Sequence, residues 1–208
     1  MFKKILLVSA VFAFAFAILS ISILQATTIT YSFKANTSAS PVLGIQTPEI
    51  EYQMPYEGKV LPDSPFWVLK AARDRIWFLI TSSPSRRAEL ALLFSDKRLV
   101  SAKTLFENKK PNIAISTLTK GEKYLEVAVA QEKIARLQGV DTSAFLTRLA
   151  VASLKHRQVL ESLIPLVPED ARPFIVKTED YSKNSYIAAT DGLNSKGLPV
   201  PISPFDGD

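Results

Sequence analysis

Tyr52–Ile80 reads YQMPYEGKVLPDSPFWVLKAARDRIWFLI, and the reading of this stretch decides how the rest of the chain folds. Its first half, Tyr52–Asp63, carries Pro55, Gly58 and Pro62, so it is predicted to run as an extended strap with one turn near Pro55–Gly58. Ser64 before Pro65 is a helix start, because the hydroxyl accepts an orphan N–H and proline at the first helical position has none to lose. Beyond it Phe66, Leu69, Arg73, Ile76 and Ile80 share one face at helical spacing, with Ala72 and Trp77 at its margins. The expectation is that later helices cover this face. Tyr52, Tyr56, Val60 and Leu61 are expected to pack the strap down onto them. Arg73 interrupts the apolar stripe, which suits a guanidinium donating to strap carbonyls around Leu61 or to Glu89 and so locking strap to helix. A ligand-binding arginine is the sharper alternative.

Four further helices follow from start and stop signals. The second opens at Ser83-Pro84 and presents Leu92, Ser95, Leu99, Ala102 and Phe106 before the stop at Lys109-Lys110-Pro111. The third runs to Gln138 with the stripe Ala114, Leu118, Gly121, Leu125, Ala128 and Ala135, closed by Gly139 in the left-handed conformation. Gly121 in mid-helix costs about 1 kcal/mol against alanine, which points to a neighbouring backbone in close approach. Asp141, Thr142 and Ser143 cap the fourth, whose buried side is Phe145, Leu149, Ala152, His156, Val159, Leu160 and Leu163. The fifth begins at Pro168-Glu169-Asp170 and passes through Phe174, Ile175, Tyr181 and Ala188 to about Thr190. Short connections make successive helices antiparallel neighbours. The fold class expected is all-α, an up-and-down bundle of about five helices behind a proline-rich strap.

Ahead of the strap the chain changes character. Lys3 and Lys4 precede Ile5–Leu24, a run without charge that is long enough to span a bilayer. The positive-inside rule puts Met1 in the cytoplasm and everything after Leu24 outside. The run is expected to be an uncleaved anchor or, if Ser20 and Ser22 serve a signal peptidase, a cleaved signal. The domain plan is then an anchor or signal over 1–24, a Ser/Thr/Pro tether over 25–51, strap and bundle over 52–190, and a disordered tail over 191–208. With 208 residues and 47 % hydrophobic content, there is room for one ordinary domain besides these segments. The localisation implied is a cell membrane with the domain outside, or secretion if the signal is cut.

The motif Pro55-Tyr56-x-Gly58, then Leu61-Pro62-Asp63-Ser64-Pro65-Phe66-Trp67-x-Leu69-Lys70 with Arg73, Asp74 and Ile76, resembles a bacterial family of domains of unknown function, the one numbered 5667. Arg87-Ala88-Glu89-Leu90 and Ser95-Asp96-Lys97-Arg98-Leu99 match its helical-hairpin segments. The match is good over Tyr52–Leu99 and looser up to Thr190; Phe66-Trp67 stands where Leu-Tyr is expected, and Ser95-Asp96 where Ala-Glu is. The resemblance implies an extracytoplasmic helical domain and supplies no catalytic residue.

Chemistry is sparse. The chain has no cysteine, which removes disulfides, thiolate metal sites and thiol nucleophiles. Phosphate-binding glycine loops, zinc-protease helices and nucleophile elbows are absent. His156, the single histidine, falls on an apolar face with no recognisable ligand set, and reads as a satisfied core residue rather than a metal ligand or base. No cofactor is expected. The net charge of +5 has its basic side concentrated in the first two helices, where Lys70, Arg75, Arg86, Arg87, Lys97 and Arg98 are candidates for binding anionic lipid or an envelope polymer. Nucleic acid is not expected as a partner, since no aromatic and basic platform is present. These readings converge on a membrane-tethered interaction or scaffolding domain, with a sensing domain acting through a membrane partner, or a wall-polymer binder or enzyme, as alternatives. A fragment spanning 52–190 is expected to show helical circular dichroism and one unfolding transition that neither chelator nor reductant moves; a metal-dependent midpoint would overturn the reading of His156.

Overall fold

A computed structural model describes residues 49–205. The N-terminal apolar run, the residues 25–48 of the expected tether and the last three residues lie outside the described part. Five α-helices follow the strap: α1 Trp67–Ile80, α2 Pro84–Glu107, α3 Pro111–Leu137, α4 Ser143–Leu163 and α5 Arg172–Asn194, with two 3-10 turns, Ile164–Leu166 and Glu169–Ala171, between the last two. Among the described residues there is no strand, and no helix is long and apolar enough to cross a membrane.

The starts of α2 and α3 are the expected ones, each with proline in the first turn, where a missing N–H costs nothing. Leu92, Ser95, Leu99, Ala102 and Phe106 of α2 are all buried, as are Ala114, Leu118, Gly121, Leu125, Ala128 and Ala135 of α3. Gly139 adopts φ +81° just past the end of α3. At Gly121 a Cβ would stand 2.9 Å from the Cβ of Arg98, and Ser95 Oγ donates 2.8 Å to the Gly121 carbonyl. The two backbones meet there because one helix has no side chain in the way.

Two expectations about the architecture, the first and the third below, are corrected, and the buried side of α5, for which the sequence analysis named no stripe, is defined. First, successive helices are not all neighbours. α2 and α3 form one antiparallel hairpin and α4 and α5 another, and the hairpins stack with α3 against α5 and α2 against α4. The pairings Glu89–Arg148 and Asp96–His156 ascend together, so α2 and α4 run parallel. Second, the buried side of α5 is Ile175, Thr178, Glu179, Ser182, Ser185, Ala189, Gly192 and Leu193, while Phe174 is exposed. Small and hydroxyl residues make that seam, so hydrophobic periodicity misses its phase. Third, the tail is ordered as far as Phe205. α5 continues to Asn194, the Tyr186 hydroxyl donates 2.6 Å to the Pro201 carbonyl, and buried Phe205 lies under the Arg157 guanidinium, 4.3 Å from its ring centre.

The first helix departs furthest from expectation. Its one buried residue is Asp74, whereas Phe66, Leu69, Ile76 and Ile80 are between 59 % and 74 % exposed. The face expected in the core points away from it. The other four helices close the core among themselves, and α1 rests on them through its opposite side. There Trp77 meets Phe94 edge-on at 6.2 Å and Phe78 meets Tyr124 at 6.5 Å.

Replacing Gly121 by alanine sets a helix-propensity gain of about 1 kcal/mol against an overpacking cost of about 1–3 kcal/mol. Because the clash is with a Cβ fixed to the facing backbone, overpacking wins. Gly121→Ala is expected to lower stability by about 1 kcal/mol in urea unfolding, and an unchanged or raised midpoint would show that the hairpin is looser than described.

Candidate functional site

The strap is fastened to the bundle at both ends. Upstream, Ile50 is buried against Leu154 and Phe205, its N–H donates 3.2 Å to Gln158 Oε1, and its carbonyl accepts from Lys155 Nζ at 3.1 Å. The packed domain thus begins before Tyr52. Downstream, Thr104 Oγ1 donates to Glu57 and Lys110 pairs with Asp63. Between these points Tyr56 is 68 % exposed, so the expectation that it packs the strap down is overturned. Leu61 is half-buried, and its carbonyl accepts from Ser64 N–H at 2.9 Å in the turn that leads into α1. The Ser64 hydroxyl takes the Phe66 N–H at 3.3 Å, and the helix proper begins at Trp67, past Pro65.

Lysine, not arginine, locks strap to helix. Lys70 Nζ donates to the carbonyls of Glu57 at 2.6 Å and Val60 at 3.0 Å and lies 4.9 Å over the Trp67 ring. Burial in this position pulls its ammonium below the usual lysine range. Arg73, expected in that role, is turned outward and pairs with Asp74 at 2.6 Å. Of the remaining basic candidates, Arg87 donates to the Thr81 and Leu79 carbonyls at the end of α1, and Arg98 is largely enclosed, 4.5 Å over the Tyr124 ring. Lys97 is half-buried. Arg75 and Arg86 are exposed and have no hydrogen-bond or ion-pair partner among the described residues. The supposed basic patch is therefore mostly internal structure.

Beneath the strap lies a charged cluster that the sequence reading does not assemble. His156 is fully buried, with Nδ1 2.6 Å from Glu122 Oε1 and Nε2 2.9 Å from Asp96 Oδ1. The Tyr52 hydroxyl donates 2.8 Å to Asp96 Oδ2. One side chain from the strap and one each from α2, α3 and α4 thus form a chain of contacts into the core. A carboxyl oxygen faces each ring nitrogen, and an N–H on each nitrogen gives both contacts a donor. Burial alone pushes the imidazole down, but Glu122 and Asp96 outweigh it and raise the pKa from 6.5 to about 10. Burial and the Asp96 charge push the Tyr52 hydroxyl well above its ordinary range, which keeps it a donor. Glu122 Oε2 is buried without a partner.

An imidazolium with both N–H groups committed has no lone pair with which to take a proton from a substrate. The cluster acts as a charged clamp. Among the described residues no group of His, Asp and Glu is arranged to hold a metal ion. Asp96 and Glu122 were legible only as carboxylates on buried stripes beside the smallest residues, Ser95 and Gly121.

Above the clamp, a cleft of about 500 Å³ opens between the strap, the end of α1, α2 and α4. Tyr52, Leu92 and Asp96 line it, with Trp77, Arg86 and Arg148. Arg148 is held 3.3 Å from Glu89, so Arg86 is the unengaged cation there. Two acids, Glu89 and Asp96, line the same cleft.

The family profile described as Domain of unknown function (DUF5667) matches residues 59–170. No curated protein and no solved structure matches the chain.

The clamp predicts a direction with pH. A histidine raised in the folded state contributes stability that is complete below pH 6.5 and is lost as pH climbs through about 10. The urea midpoint is expected to fall across that window. His156→Gln, which leaves two carboxylates buried without their counter-charge, is expected to cost about 3–5 kcal/mol at neutral pH and to flatten the pH dependence. A wild-type midpoint that rises over the same window would refute a protonated His156.

Proposed function

The chain belongs to the DUF5667 family, whose description fixes a domain and no activity, and from that premise we propose that it is a membrane-tethered interaction domain of the bacterial cell envelope. It acts by presenting α1 and performs no bond-breaking chemistry. The observation that carries this reading is the first helix: Val68, Leu69, Ile76, Leu79 and Ile80 are each more than half exposed on a domain whose remaining core is closed. Scattered exposed apolar residues are ordinary, but a continuous set on one helix marks a contact surface. The charge-free run Ile5–Leu24 supports the tether and the extracytoplasmic placement. The bundle is the rigid mount, and the clamp at His156 serves that rigidity. A second reading, sensing of a small ligand, is favoured by the cleft beside α1 and needs a membrane partner to relay the signal.

The absence of cysteine makes any introduced one unique. Ile76→Cys on α1 and Lys123→Cys on exposed α3 are compared in intact cells with a membrane-impermeant thiol reagent, then in purified protein. The expected result is labelling of Lys123→Cys in cells, protection of Ile76→Cys in cells, and rapid labelling of both after purification. Equal labelling of the two in cells would remove the interaction reading. Labelling of neither until the cells are broken would remove the extracytoplasmic placement.

A further inference from the structure

We infer that α1 is an interfacial helix that lies along an anionic lipid leaflet, the leaflet to which the domain is tethered. This rests on the reading of α1 as the contact element and names what it contacts. At about 100° per residue, Val68, Leu79, Ala72, Ile76, Leu69 and Ile80 follow one another around one side of α1. Arg75 stands at one border of this arc and Arg73 at the other. The opposite side carries Asp74, Lys70, Trp67 and Phe78, turned to the strap and the bundle. An apolar face with basic borders is the pattern of a helix lying in a membrane plane, its apolar side in the acyl boundary and its cations at the headgroups.

Three observations choose lipid over a second copy or a protein groove. Asp74 is the only acid in α1, and it is buried and paired with Arg73, so the outward side is uniformly basic or apolar. A second copy laid face to face would oppose arginines to arginines with no acid between them, whereas anionic headgroups complement them. The arc is also continuous over the length of the helix, about 21 Å, as a flat surface demands. Finally, the apolar run Ile5–Leu24, read above as the anchor, stands only 24 residues upstream of the described part, a separation that keeps a tethered domain at high effective concentration near its leaflet.

The two tryptophans of the chain, Trp67 and Trp77, lie on the side of α1 turned to the strap and the bundle, so Leu79→Trp places a reporter on the arc, and its emission is read against that of the unmodified chain. Full-length protein is reconstituted in vesicles of phosphatidylcholine alone, or of phosphatidylcholine with phosphatidylglycerol, each with and without brominated acyl chains. Emission of Leu79→Trp is expected to be quenched by brominated lipid beyond that of the unmodified chain, more strongly in the anionic vesicles, and to lose that excess at high salt. Arg75→Gln, which removes a cation without a structural partner, is expected to weaken docking on the order of fivefold. Leu69→Gln with Ile76→Gln is expected to abolish quenching with the circular dichroism of the bundle unchanged. Equal, weak quenching of Leu79→Trp in both vesicle types, or a double variant in that background that is quenched as strongly as Leu79→Trp alone, would overturn the lipid proposal. If Ile76→Cys is protected in cells while Leu79→Trp stays unquenched, α1 is an interaction element and its partner is a protein or a second copy. If Ile76→Cys is unprotected, the broader reading fails with it.

Discussion

The His156 clamp is the interaction that fixes how the two hairpins sit on each other. His156 comes from α4, Asp96 from α2 and Glu122 from α3, so the 2.6 Å and 2.9 Å contacts set the register of one hairpin against the other. In raw stability the gain is modest, because taking each ion out of water costs several kcal/mol that the attraction roughly offsets. What the clamp supplies is a single permitted stacking. The core mixes leucine with alanine and serine, and apolar contact by itself carries little directional information. A slide of one turn here would strand two carboxylates and an imidazolium in the core.

That clamp also reaches the ends of the domain. Tyr52 ties the strap to Asp96, and packs with Ile50, Leu154 and Phe205, so the incoming strap and the outgoing tail meet on the same surface of α4. Lys70 then fastens the far part of the strap to α1. The long path from Ile50 to Ile80 is thereby held by polar contacts at a few points rather than by a continuous apolar seam. This is why α1 can stand beside the bundle without being absorbed into it.

Much of the fold was legible in the sequence, and what was not has identifiable physical causes. The stripes of α2, α3 and α4 are apolar with period 3.6, and Pro84, Pro111 and Gly139 mark their ends where the structure has them. α5 packs through Thr178, Ser182 and Ser185, residues that hydrophobicity cannot phase. The tail is held by one carbonyl and one ring, Pro201 and Phe205, in a composition that otherwise reads as disorder. The site was harder still. Ion pairing between helices leaves no local pattern, so His156 was found on its face while Asp96 and Glu122 were not joined to it. Arg73 and Lys70 lie one helical turn apart, and which of them faces the strap depends on the rotation of α1, which its own pattern misstates.

The misstatement of α1 is itself informative. A helix with an apolar face is ordinarily turned inward, because leaving such residues in water costs roughly 25 cal/mol per Å² of apolar surface. Turning α1 over would bury that face, but it would also pull Lys70 away from the Glu57 and Val60 carbonyls and break the Trp77–Phe94 and Phe78–Tyr124 contacts. The contacts on the inner side thus hold the apolar side out. A domain that locks its interior with charge and its first helix with a lysine keeps a sticky surface exposed without losing its fold. An exposed apolar face of this kind is what the proposed contact requires, and the basic borders at Arg73 and Arg75 restrict what can complement it.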